Sequence, residues 1–273
     1  MKTAVEIANK RADKFGYQLY AGRSRAIIQR GLIAFRSSTW VAIATGFLEP
    51  VLYLLAFGYG MGQLIGDIET SFGKVDYTSF IAPGLLATSA INGAIYDVTW
   101  NVFFKLNESR LYQGILATPM GPLDVALGEM LWALLRGLTY ATAFMLMMAP
   151  LGLISSWSAI LAIPAAMLVA FAFASFGMAI TSYFKTHQQM GFISLALLPM
   201  FLFSGSLYPI RVYPDWMERI IHLLPTYHAI ELVRDLWFGV INFSSLSHII
   251  YFLLMICVGL LFTTRRLRNL FMR

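Results

Sequence analysis

The sequence predicts an all-α polytopic membrane protein with six transmembrane helices, and three observations predict it. Of 273 residues, 58% are hydrophobic and only 12% charged, about half the roughly 25% charge of a soluble domain. Apolar runs long enough to cross a hydrocarbon core of roughly 30 Å, about 20 helical residues, recur along the chain. The basic residues gather in the connections, so the +6 balance is a topology signal, and a nucleic-acid partner loses its main support. The single cysteine, Cys257, lies in an apolar run, which excludes an intrachain disulfide framework and a Cys-based zinc cluster.

In chain order the spans are expected at 38–62, 79–104, 124–150, 157–183, 188–207 and 244–263. Six spans put both termini on one side. The head, 1–37, holds eight Lys and Arg, the tail, 264–273, holds four, and Lys105, Arg110 and Lys185 bring that side to fifteen. The other side has only Lys74, Arg211, Arg219 and Arg234. Both termini are therefore expected in the cytoplasm, with the protein multi-pass in the plasma (inner) membrane. No signal-peptide pattern precedes the first span, which is expected to act as the insertion signal itself. Within the head, residues 23–36 project Ile27, Ile28, Leu32 and Phe35 to one side and Arg23, Arg25, Gln29, Arg30 and Arg36 to the other, the pattern of an amphipathic helix on the inner leaflet lipids.

Three connections are informative. The cytoplasmic loop 105–123 contains Glu108, Arg110, Tyr112 and Leu116 before Thr118-Pro119 and Gly121-Pro122, and predicts a short helix that ends before the prolines. Such a helix is a natural handle for a soluble partner. On the outer side, 208–243 is apolar and aromatic but broken by Pro209, Pro214 and Pro225, so neither piece can cross a bilayer. Asp215 and Glu218 predict a capping box, and Gly239 predicts the end of a second helix from about Tyr227 to Phe238. These helices are expected to be half-inserted at the outer interface, with Trp216 and Trp237 at headgroup depth. The connection 63–78 reads as an ordinary loop.

Helix contacts are predicted where small residues repeat every fourth position: Gly58, Gly62 and Gly66 in the first span, and Ala162, Ala166, Ala170 and Ala174 in the fourth. Four ionisable groups fall at membrane depth, where an unpaired charge costs a few kcal/mol. Glu49 and Arg136 lie at matching depth and are expected to form an ion pair. Asp97 and Glu129, with Lys105 at the boundary, are expected to line a cytoplasm-facing vestibule. A translocation path is sought along Phe47, Tyr53, Phe57, Phe201, Phe203 and Tyr208, aromatics of the first and fifth spans.

Catalytic constellations are absent. The chain has no Gly-x-x-x-x-Gly-Lys-Ser/Thr loop, no His-Glu-x-x-His and no Gly-x-Ser-x-Gly, so it cannot hydrolyse ATP by a phosphate loop. Its four histidines have no diagnostic metal spacing, and neither a catalytic residue nor a metal ligand is assigned.

The ordered features resemble the membrane subunit of an ABC-2 type transporter. They comprise the basic amphipathic head, Leu48-Glu49-Pro50 followed by Tyr53 and the glycine series, the loop from Glu108 to Pro119, Phe203-Ser204-Gly205, Pro214-x-Trp216, and Pro225-Thr226-Tyr227-His228-Ala229-Ile230-Glu231-Leu232-x-Arg234. Within that family, Ala87-Thr88-Ser89-Ala90 through Tyr96-Asp97 and Leu127-Gly128-Glu129-Met130-Leu131-Trp132-Ala133 are similar to the nodulation lipooligosaccharide exporter and daunorubicin-resistance permeases. Asp97 stands where Glu is expected in many relatives. The resemblance implies a half-transporter that pairs with a second permease copy and two separate ATPase subunits. It binds no cofactor itself, ATP and Mg being held by those subunits. It also implies that residues 106–118 form a coupling helix and that Pro209, Pro214, Trp216, Pro225, His228, Glu231 and Arg234 belong to an exit gate. Export of a lipid-linked saccharide, lipid or hydrophobic drug follows from it; an ATP-independent channel, or an intramembrane enzyme or scaffold subunit, is the alternative.

Overall fold

The computed structural model describes residues 20–36, 48–70, 73–154 and 156–271. Among these, five helices are long and apolar enough to cross a membrane: α2 (Leu48–Ile65), α3 (Tyr77–Glu108), α5 (Pro122–Met148), α6 (Trp157–Thr181) and the span within α10 (Phe243–Phe271). A shorter apolar helix, α7 (His187–Phe203), is about 25 Å long. The protein is thus all-α and polytopic. The remaining elements are α1 (Ser24–Arg36), α4 (Leu111–Leu116), α8 (Asp215–Ile221) and α9 (Pro225–Phe238).

The loop expected at 63–78 contains a β-hairpin, β1 (Asp67–Thr70) and β2 (Gly73–Asp76), paired antiparallel with Ile68 opposite Val75 and Glu69 opposite Lys74. Its short strands carry too little alternation to be read as a period-2 pattern. Gly66, at φ 71°, turns the chain from α2 into it, and the Asp76 side chain accepts from Thr78 N at 3.0 Å to start α3. The fifth span also ends earlier than expected: Gly205, at φ 78°, leaves the helix after Phe203, so 204–207 form a turn.

α3 is the central helix, buried over most of its length, whereas α2 and α10 are mostly uncovered in the single chain. At 32 residues it measures about 48 Å, well beyond a hydrocarbon core of about 30 Å. Its last turns carry Lys105 and Glu108. Two stretches, Asp97–Asn101 and Phe104–Glu108, are wound as π-type turns, which are common where a helix re-aims its side chains.

Small residues set the helix contacts, as expected where association rests on contact rather than on hydrophobic expulsion, except at Gly66, which lies in the turn after α2 where an added Cβ would meet nothing within 4 Å. Ala162, Ala166, Ala170 and Ala174 are all buried, and Ala170 faces Gly137 of α5. A Cβ on Gly58 would come within 2.6 Å of the Thr78 methyl, while the Thr78 hydroxyl donates to Gly58 O at 3.1 Å. The tightest approach is between α10 and α6. There a Cβ on Gly259 would lie 2.5 Å from Ser175 Oγ and 2.6 Å from its carbonyl carbon. Backbone cannot yield as a side chain can, so Gly259→Ala is expected to destabilise the bundle by about 1–3 kcal/mol through overpacking. A lowered Tm of the detergent-purified protein checks this.

The bundle has two ends. One carries α1, the end of α3, α4 and the start of α5, together with the 182–187 turn, where Asn107 Nδ2 donates to Phe184 O and Glu108 approaches His187 at 3.4 Å. The other carries the hairpin, α8 and α9. At that end Arg234 of α9 donates to Gly205 O at 2.9 Å, and Trp237 Nε1 donates to Leu153 O at 3.1 Å.

Candidate functional site: a half-polar cavity and two buried ion pairs

Between α2, α3, α5 and α7 lies a cavity of about 700 Å³, within the range of small-molecule sites. Its polar wall comprises Thr88, Ser89, Asn92, Asp97 and Asn101 of α3 with Arg136 and Tyr140 of α5. Opposite are Glu49, Pro50 and Tyr53 of α2 and Leu197, Leu198 and Phe201 of α7. Thr88 Oγ1 is satisfied by Gly84 O at 2.7 Å, whereas the buried Ser89 hydroxyl has no partner among the described residues.

The expected Glu49–Arg136 pair does not form: Arg136 Nη1 instead donates to Asp97, with Asn101 Nδ2 donating to the same carboxylate oxygen and Arg136 Nη2 donating to Tyr140 Oη at 3.0 Å. Depth along the helices matches Glu49 with Arg136, but helix adjacency decides the partner. α3 packs directly on α5, while α2 stands across the cavity. Asp97 and Asn101, four residues apart, are neighbours on α3, so the Asn101 amide holds the carboxylate that takes the guanidinium.

Two turns along the same two helices the polarity reverses. Lys105 Nζ of α3 donates to Glu129 Oε2 of α5 at 2.6 Å. The sequence places Asp97 and Glu129 together in a vestibule; the structure puts Asp97 in the cavity wall and Glu129 at a separate pair. Opposite-sign rungs on each helix fix their register, since a shift along the axis would bring like charges together.

Tyr112 of α4 docks beside the second rung and is fully buried. Burial first, and then the charge of Glu129, holds its phenol well above the usual range. The other residues expected in the coupling loop are dispersed. Glu108 ends α3; Arg110 precedes α4 in the left-handed region at φ 48°; Leu116 packs partly on the core; Pro119 is exposed in the loop beyond.

Asp124 went unnoticed in the sequence. Fully buried, it accepts from Ala21 N at 2.6 Å, Arg23 N at 2.7 Å and Gly121 N at 3.0 Å. One carboxylate thus caps α5 and ties down the entry to α1. Its place just after Gly121-Pro122 announces the local cap, but nothing local announces the partner a hundred residues away. Of the amphipathic stripe on α1, Ile27 is buried against Gly128 and Ile28 half-buried, whereas Leu32 is exposed. The buried face turns toward α5.

The six path aromatics divide. Tyr53 stacks with Phe57 and meets Phe201, each at 6.0 Å, at the cavity. Phe203 and Tyr208 instead pack on Tyr213 at the far end, at 5.9 and 5.7 Å. Phe47 lies outside the described residues.

At the far end Pro209 precedes a short 3-10 turn, Pro214 precedes α8 and Pro225 opens α9. Because Pro214 takes the cap position, Asp215 becomes the first helical residue and the predicted capping box is not made; Glu218 lies 3.7 Å from His222. Arg234, buried, pairs with Glu231 at 2.6 Å and stands over the Phe80 ring at 4.2 Å. His228 Nδ1 lies 2.8 Å from His248 Nδ1 of α10. Trp216 is exposed, but Trp237 is buried rather than set in a headgroup layer. It belongs to the face Thr226, Ala229, Ile230, Val233 and Trp237, all buried on the bundle at helical spacing.

Apolar spanning helices around a half-polar cavity, with a short helix docked at one end, define a membrane permease. Residues 23–238 match the ABC-2 type transporter family, and the chain belongs to that family as a permease subunit of an ABC transporter. It is 33% identical over 210 residues to Nodulation protein J of Sinorhizobium fredii, covering 77% of this chain and 79% of that protein. It is 30% identical over 250 residues to Nodulation protein J of Rhizobium leguminosarum bv. viciae, covering 91% and 95%. Similarity extends to the inner membrane transport permease YadH of Escherichia coli, 26% identical over 241 residues, 84% of this chain and 91% of that one.

Proposed function

We propose that this permease exports an amphipathic molecule, a lipid-linked saccharide, lipid or hydrophobic drug, from the cytoplasm or inner leaflet, powered by a separate ATPase. The observation that carries the reading is the cavity lined by four helices, in which polar side chains of α3 and α5 face a mostly apolar wall of α2 and α7 that carries Glu49. Such a lining matches a ligand with a hydrogen-bonding head and an apolar body. The protein sits in the plasma membrane with both termini in the cytoplasm. α4 is the coupling helix, pushed by the closing ATPase dimer together with α1, and α8 and α9 form the exit gate. A second permease copy completes the path, in keeping with the uncovered apolar faces of α2 and α10. ATP and Mg belong to the two ATPase subunits.

The test is copurification of this chain with an ATPase whose turnover depends on it. Leu116→Asp is expected to lower recovery of the ATPase severalfold in pulldowns while membrane insertion is unchanged. Transport by the isolated permease without ATP would overturn the reading.

A further inference from the structure

Charge in the cavity does not balance. Its lining carries two carboxylates, Glu49 and Asp97, against one cation, Arg136. Arg136 is neutralised by Asp97, which Asn101 also holds. Glu49 stands on the opposite wall, exposed in the single chain, and among the described residues its carboxylate has neither an ion pair nor a hydrogen bond. Tyr53, one helical turn along, and Phe201, whose ring lies 6.0 Å from that of Tyr53, line the same cavity. The unpartnered Ser89 hydroxyl on the α3 wall offers a hydrogen bond across the same space. A lone carboxylate at membrane depth needs a counter-charge or water. The cavity it lines also presents aromatic side chains, whose faces attract cations.

We infer that the cavity selects a ligand bearing a protonated amine on an otherwise uncharged body, with Glu49 as its counter-charge and Tyr53 and Phe201 against its apolar part. This deepens the export reading by naming a substrate class, and it rests on the cavity being the ligand-binding part of the permease. Amino sugars attached to lipid and amine-bearing drugs both meet the description, because the shared group is the ammonium.

Direct binding to the full chain tests it without the ATPase, so its failure is separable from that of the export reading. The protein is placed in phosphatidylcholine nanodiscs, and two probes with the same dansyl body, one cationic and one neutral, are compared by fluorescence: dansylcadaverine, a primary amine, and its N-acetyl derivative. The amine is expected to bind about tenfold tighter, the scale of one partly solvated charge pair. Glu49→Gln, which keeps shape and removes charge, is expected to abolish the difference, and Glu49→Asp to retain most of it. Equal binding of the two probes by the unaltered protein would overturn the inference. So would a preference for the amine that survives in Glu49→Gln. An unchanged Tm of Glu49→Gln shows that the altered binding does not come from misfolding.

Discussion

Asp97→Asn is expected to reduce the amount of folded protein in the membrane severalfold and to lower its Tm by more than any substitution at Glu49. The change leaves Arg136, in the cavity wall, with Tyr140 Oη as its remaining side-chain hydrogen-bond partner among the described residues. Removing one member of a fully buried pair costs about 3–5 kcal/mol because the remaining charge is uncompensated, and the cost here is smaller because the Arg136 side chain is 26% exposed. The two ends of this pair are not equivalent. A guanidinium cannot shed its proton at any ordinary pH, whereas a stranded carboxylate can become neutral by taking one up. Arg136→Gln should therefore be the milder of the two. The exchange Asp97→Arg with Arg136→Asp should restore part of the loss, less than all of it because Asn101 is placed to donate to a carboxylate on α3. Folded yield and Tm by fluorescence-detected size exclusion read these outcomes. An Asp97→Asn protein that accumulates and melts like the parent would remove the pair from the structural role given to it.

The second large effect is expected at Tyr112. α4 has six residues, far fewer than the roughly 12–15 at which an isolated helix becomes even marginal in water. It is therefore held by what it buries, and Tyr112 is its fully buried side chain. Truncating a buried aromatic costs about 3–5 kcal/mol, enough to release a helix with so little stability of its own while the spanning helices stay assembled. Tyr112→Ala should leave insertion and yield near normal, make a Cys introduced at Ile115, which is half-buried in the parent, react faster with a water-soluble maleimide under conditions where the parent Cys257 is blocked, and abolish recovery of the proposed ATPase. Tyr112→Phe should behave like the parent, because among the described residues the hydroxyl makes no hydrogen bond. Faster labelling in the Phe variant would instead assign the docking to the hydroxyl and its neighbour Glu129.

Lys105 and Glu129 connect these two predictions. The end of α3 that carries Lys105 leads to α4, while the same helix two turns earlier carries Asp97 in the cavity wall. Displacement of α4 thus bears on a helix pair whose register is set by two ion pairs of opposite polarity. A helix pair locked in this way moves as a unit, which suits the push on α4 and α1 proposed for the closing ATPase dimer.

Composition and run length determined the class of this protein, because a bilayer imposes a length of apolar helix that no soluble domain needs. Runs such as 157–183 carry that signal with no help from their neighbours. The short helix before Pro119 and the stop at Gly239 were legible for the same reason: backbone punctuation acts within a few residues. The hairpin at 67–76 was not, its strands being only four residues each. Trp237 and Asp124 show why sites are harder. A local rule set Trp237 at an interface and singled out nothing at Asp124, and both are decided by contacts with segments 84 and 103 residues away, at Leu153 and Ala21. Arg136 shows it best. The sequence by itself determined that a cation at membrane depth must have a partner, since desolvation leaves no other choice. Only the tertiary structure decided that the partner is Asp97 and that Glu49 is left facing the cavity, because depth is set along one helix while pairing is set by which helices touch.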